Sequence, residues 1–127
     1  MNIRTHLAID PELCGVPEEL REHYARLSMD TNARMAADEK GLVHGGFIFG
    51  LADYAAMLAV NDPHVVLGAA DVRFLQPVRT GETVAAEAQV ESVEGKKHVV
   101  AVVVTRGPQT VFKGTFTCFV LDRHLLD

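Results

Sequence analysis

The chain has 127 residues, which suits one domain spanning residues 1–127. Hydrophobic residues make up 48%, enough for a real core, and a net charge of −5 argues against a nucleic-acid partner. The start, MNIRTHLAID, lacks the apolar core of a signal peptide, and the longest apolar run is too short and interrupted to cross a bilayer, so the reading is of a soluble, cytoplasmic protein with no membrane partner.

Residues 1–16 carry weak signals, with turns suggested at Asp10-Pro11 and Gly15. Pro17 suits a helix start, with Glu18 and Glu19 in the first turn and Leu20, Tyr24 and Leu27 as its apolar stripe, so a short helix ending near Arg26 is predicted. From Leu27 to Met35 the pattern changes to period two, which predicts a half-buried strand. A loop over Ala36–Val43 follows. Then comes GLVHGGFIFGLADYAAMLAVN, Gly41 to Asn61. From Phe47 to Val60 nearly every residue is apolar or small, so this is a helix buried on all sides, stopped by Asn61-Asp62-Pro63. Its one charged side chain is Asp53. A carboxylate there is costly unless it is paired, hydrogen-bonded or used.

The remainder reads as strands. Val65–Gln76 is the first, with Ala70, Val72 and Phe74 opposite Asp71 and Arg73; Pro77–Glu82 is a turn. Thr83–Val93 alternates and Glu94-Gly95-Lys96 closes a hairpin. Lys97–Arg106 contains VVAVVV, apolar on both faces, hence a central strand, and Thr110–Leu121 is the last. The sum is an α+β fold in which an antiparallel four-strand meander curls around one helix.

This pattern resembles the hotdog-fold acyl-CoA thioesterases and is most similar to the phenylacetate-degradation type. The resemblance runs from about Leu27 to Leu121 and rests on Gly41, His44, Gly45, Gly46, Leu51, Ala52 and Asp53, followed by Pro77, Gly81 and Glu82. It implies a hotdog fold, a homodimer or a dimer of dimers, and hydrolysis of an acyl-CoA thioester without a cofactor. It further implies that the Gly45 amide polarises the thioester carbonyl and that Asp53 acts as general base or nucleophile. Two positions depart from the family. Asp38 stands where relatives often carry Asn, and Leu67-Gly68 offers no hydroxyl where some relatives place Ser or Thr.

The chemistry of these residues agrees with that implication. A helix N-terminus presents free N–H groups and a positive dipole end to a forming oxyanion. Burial lifts a carboxyl toward a useful pKa. Gly45 and Asp53 are eight residues apart, about 12 Å along a helix, so they cannot act on one carbonyl from the same subunit. A symmetric dimer with antiparallel helices would join one chain's Asp53 to the other's Gly45, twice.

Around these two catalytic candidates, His44, Gly46, Asp38, Phe47 and Met57 are candidate substrate contacts. Gly46, Gly50, Asp53 and Met57 share a helical stripe, which serves either substrate or close packing. His44 reads best as a hydrogen-bonding loop anchor. Phe49, Tyr54 and Phe74 are further pocket candidates. CoA phosphates would call for basic residues, for which Arg73, Arg79, Lys96, Lys97, Arg106 and Lys113 are available. No metal-ligand spacing exists, so no metal is expected. Cys14 and Cys118 read as packing thiols of a reducing compartment. The competing reading is a non-catalytic acyl-CoA binder, and a dehydratase is a more distant third.

Overall fold

A computed structural model describes residues 1–127. A one-turn helix α1 (Pro11–Cys14) precedes strands β1 (Val16–Arg21) and β2 (Tyr24–Asp30); a 3-10 turn, Ala33–Met35, leads to helix α2 (Gly45–Val60). Strands β3 (Val65–Phe74), β4 (Thr83–Glu94), β5 (Lys97–Arg106) and β6 (Gln109–Val120) complete one six-stranded sheet of order β1-β2-β4-β5-β6-β3, with every neighbouring pair antiparallel.

The sheet curls around α2. Leu51, Ala52, Ala55, Ala56, Met57 and Leu58 have no exposed surface, and neither have Leu27, Ala86, Ala88, Val100, Val104, Phe112 and Phe116 on the strands. Period-two alternation on β2, β4 and β5 aims these strand residues at the helix. The outer side of α2 is covered by the N-terminal segment. Asn61 ends the helix in the left-handed region (φ 52°), and its side chain accepts from Arg4 N–H and donates to the Asn2 carbonyl, both at 2.8 Å. His6 stacks on Tyr54 at 6.1 Å. Gly15 then passes so close that a Cβ would lie 2.5 Å from Leu51 Cδ1. The sheet on one side and this strap on the other bury most of α2, but not all of it: Gly46 is exposed and Phe47, Gly50 and Asp53 are only partly covered, so the expected burial on every side fails along that stripe.

Three further expectations need correction. Pro17–Arg26 is a β-hairpin, β1 and β2, reversing at Glu22-His23, where His23 takes φ 62° without any glycine to announce a turn. The strand expected to reach Met35 ends at Asp30, although Thr31 and Met35 stay buried. The last four strands are also no simple meander. Only β4-β5-β6 run in sequence, and β3 pairs with the far side of β6. The segment after β3 must therefore cross the width of the sheet to reach β4. It does so past the mouth of α2, with Leu75 and Gln76 N–H bonded to the Val111 carbonyl, Val43 N–H to Val78, Thr80 N–H to Gly41 and Gly81 N–H to Thr31. An edge strand also explains why Gly68 to Asp71 are exposed with no alternation.

Candidate active site

The mouth of α2 is built by its own cap. His44, extended at ψ 129°, precedes the helix and its Nδ1 accepts from Gly46 N–H at 2.8 Å, while its carbonyl accepts from Phe47 N–H. An accepting Nδ1 fixes the Nε2–H tautomer. Two of the helix's orphan donors are thereby satisfied. Gly45 N–H is left over: it donates to no group in the chain. Glycine suits both positions. A Cβ on Gly46 would lie 2.8 Å from His44 Nδ1, and one on Gly45 would lie 3.2 Å from Phe74 Cε1.

Gly45 opens on an apolar pocket of about 250 Å³, lined by Val43, Ile48, Phe74, Leu75, Val78 and Val111 among others. Phe74 is 56% exposed and Leu75 43%, so both keep apolar surface open at this pocket. Phe74 sits edge-on to Phe112 at 5.1 Å. Leu42 and Pro77 form the pocket's rim and also line a second, polar cleft of about 500 Å³ with Asp38, Lys40, Arg79, Glu82 and Arg106.

Asp53 lies two turns further along α2. It is mostly buried, and burial alone raises its pKa from the usual 3.8 to about 6. Two buried side-chain polar atoms lack a hydrogen-bond partner, and Asp53 Oδ1 is one. The other is His98 Nδ1, at the start of β5, edge-on to His23. A buried, orphaned acceptor is uncommon enough to need a reason. Asp53 does not line the pocket at Gly45. Within one protomer the two groups stay apart, as helical rise requires.

A family model of the thioesterase superfamily matches residues 40–113, which hold the mouth of α2, Asp53 and the crossover. The chain belongs to this superfamily. Its curled sheet and central helix are the hotdog fold. The chain matches the crystal structure of an uncharacterized protein from Pyrococcus horikoshii at 50% identity and a TM-score of 0.98, covering 100% of this chain and 98% of that one. It also matches the E. coli PaaI protein of the phenylacetic acid degradation operon at 26% identity and a TM-score of 0.80, covering 88% and 83%. Among curated proteins, the methylthioribose-1-phosphate isomerase of Aquifex aeolicus is 51% identical over 123 residues, which are 96% of this chain. The chain spans only 27% of that relative's length, so the likeness is to one part of it.

In this thioesterase-superfamily chain the other site expectations fall out unevenly. His44 is the cap, on the surface beside Phe47 at 6.2 Å between ring centres. Asp38 is exposed and bends back on its own loop, where Oδ1 accepts from Lys40 and Leu42 N–H; it lines the polar cleft rather than the pocket at Gly45. Met57 has no exposed surface and packs in the core, outside the lining of the pocket at Gly45. Phe49 packs with Phe112 and Phe116, and Tyr54 lies under His6. Burial, and then the charge of Asp53, pushes the Cys118 thiol up to about 12, while burial followed by Asp10 raises Cys14, so neither is a ready thiolate. Sequence reasoning missed Leu75, Val78 and Val111, because only the crossover brings them to α2. It also missed Lys40, whose one signal was its place just before the glycine-histidine motif. No helix is long and apolar enough to cross a membrane.

Proposed function

We propose that the protein hydrolyses an acyl-CoA thioester, in a site shared by two copies of the chain. One observation carries the reading: α2 begins with an unused N–H at an apolar pocket, and the same helix holds, about 12 Å away, a largely buried carboxylate with one unpartnered oxygen. A two-fold axis between antiparallel α2 helices brings one chain's Asp53 to the other's Gly45. The open edge of β3, ten residues with only Asp71 and Arg73 charged, supports such pairing.

In that site the thioester carbonyl accepts from Gly45 N–H. Asp53 of the second chain takes a proton from water as the water oxygen bonds to the carbonyl carbon. Negative charge moves to the carbonyl oxygen, at the positive end of the helix dipole. Collapse breaks the carbon–sulfur bond and the thiolate leaves, taking up the proton. In the variant route the Asp53 carboxylate attacks directly, and water then opens the resulting anhydride. The likeness to PaaI at 26% identity, and membership of the thioesterase superfamily, support this class of reaction.

Asp53→Asn tests it. With a panel of acyl-CoA thioesters and a free-thiol readout, the variant should lose on the order of a thousandfold in kcat while folding normally. Retention of activity within a few-fold removes the mechanism. Leu67-Gly68, without a hydroxyl, favours the second reading, a non-catalytic acyl-CoA binder, which predicts CoA binding with no thiol released by the wild type.

A further inference from the structure

The polar cleft beyond the rim has no role in the chemistry above. Its lining concentrates three cations, Lys40, Arg79 and Arg106, on a chain of net charge −5. Its two carboxylates keep their charge but are held by partners of their own, and the cleft stays net positive. Asp38 Oδ1 accepts two backbone N–H groups, and Glu82 Oε1 accepts from Arg79 N–H at 2.7 Å and lies 3.5 Å from Arg106 Nη1. Arg106 is held in place by the Pro77 carbonyl and Gln109 Oε1, with its side chain only 23% exposed. The side chains of Lys40 and Arg79 form no ion pair.

The other candidate cations are placed differently. Arg73 is spent on Asp71 and Lys96 on Asp122. Lys113 lies beside Arg73 on β6 and lines a different cleft with Asp71 and Thr115, and Lys97 starts β5 at the end opposite Arg106. Only the Lys40–Arg79–Arg106 group shares a rim, Leu42 and Pro77, with the pocket at Gly45.

We propose that this cleft binds the phosphate-bearing end of the thiol carrier, with the carrier's pantetheine arm crossing Leu42 and Pro77 to set the thioester at Gly45 of the same protomer. The proposal rests on the thioesterase reading for the identity of the carrier. It assigns carrier recognition to Lys40 and Arg79, with Arg106 holding the cleft's shape, and leaves the acyl group to the pocket and the second chain. Lys40 and Arg79, whose side chains are free of ion pairs, take the anion from the loop and the crossover; Arg106, tied to Glu82, Pro77 and Gln109, braces the cleft between them.

Equilibrium titration of the intact protein with CoA, dephospho-CoA and pantetheine tests it without any turnover. Wild type should bind CoA more tightly than pantetheine, with dephospho-CoA between them. Arg79→Ala and Lys40→Ala should each weaken CoA binding roughly ten- to a hundredfold, leave pantetheine within twofold, and lose part of their effect in high salt. Lys97→Ala, equal in charge change, should bind CoA as wild type does. The proposal is overturned if wild type binds CoA no better than pantetheine, if the cleft variants bind CoA normally, if pantetheine binding falls equally, or if Lys97→Ala matches them. Because hydrolysis is not read, the two claims part cleanly. A protein that binds CoA through Arg79 but releases no thiol loses only the hydrolase reading. One that hydrolyses pantetheine thioesters through Asp53 while its CoA affinity ignores Arg79 loses only the cleft.

Discussion

Asp53→Asn removes a charge while keeping the side chain's shape, so its effect on stability isolates the electrostatic strain at the centre of α2. Folding moves this carboxyl from its usual 3.8 to about 6, through burial. Between those values the folded chain holds a proton that the unfolded chain has released. The folded state then binds more protons than the unfolded, so stability falls as pH rises from about 4 through about 6. A shift of roughly 2 units at about 1.4 kcal/mol each makes the loss near neutral pH on the order of 3 kcal/mol. That is a ceiling, because water reaches part of the side chain. Asparagine has no such slope. The stability of Asp53→Asn relative to wild type should therefore rise by up to about 3 kcal/mol between about pH 4 and about pH 7.5, whatever fixed offset the amide introduces. Urea unfolding followed by far-UV circular dichroism, at matched protomer concentration, measures it. A difference that stays flat across this range refutes the reasoning, since it would mean that Asp53 finds a cation or donors in the assembled protein. The same titration governs the proposed chemistry: wild-type kcat/KM should fall about tenfold per pH unit below about 6.

His44→Ala should cost about 1 kcal/mol in urea unfolding through loss of the cap to Gly46, yet reduce kcat less than tenfold; a loss of a hundredfold or more would make the ring a catalytic group. Gly45→Ala should leave stability within about 1 kcal/mol, because the exposed Phe74 ring can yield to the new methyl, and should lower kcat/KM roughly tenfold by filling the pocket mouth; unchanged kinetics would show that substrate does not approach there. Ala69→Lys with Ala70→Lys loads both faces of the β3 edge with like charge, so sedimentation should show monomers and thiol release should disappear with the dimer. A monomer as active as wild type would end the shared-site reading.

The central element was legible because it is over-determined. Apolar content, the histidine-glycine entry and the Asn-Asp-Pro stop all point to one buried helix from Gly45 to Val60. The strands of the curled sheet were legible from period-two alternation wherever one face is buried. What failed was non-local or lacked punctuation. Leu20, Tyr24 and Leu27 match helical spacing, and no glycine marks the reversal at His23, so a hairpin read as a helix. The position of β3 beside β6 pairs residues far apart in the chain, from Phe74 with Phe112 to Val65 with Val120, which no local pattern encodes. The pocket at Gly45 depends on that pairing, because the crossover it forces carries Pro77 and Val78 past the helix mouth. Asp53, Gly45 and His44 could be picked out by chemistry; their apolar and cationic surroundings could not.

The raised pKa of Asp53 also has a source in the fold that can be manipulated from a distance. The sheet desolvates one side of α2, and the N-terminal strap covers the other, close enough that the Asp53 charge contributes to raising Cys14 in α1. Asn61 fastens the start of that strap through Asn2 and Arg4. Asn61→Gly keeps the left-handed backbone at the helix end while deleting both hydrogen bonds, a loss of about 1 kcal/mol per bond. A loosened strap admits water along the outer face of α2. The Asp53 pKa should then move down from about 6, and the acid limb of the kcat/KM profile should move to lower pH with it. A profile that keeps its wild-type midpoint while the urea midpoint falls would show that the strap stabilises the helix without setting its carboxylate, leaving the sheet to account for the desolvation.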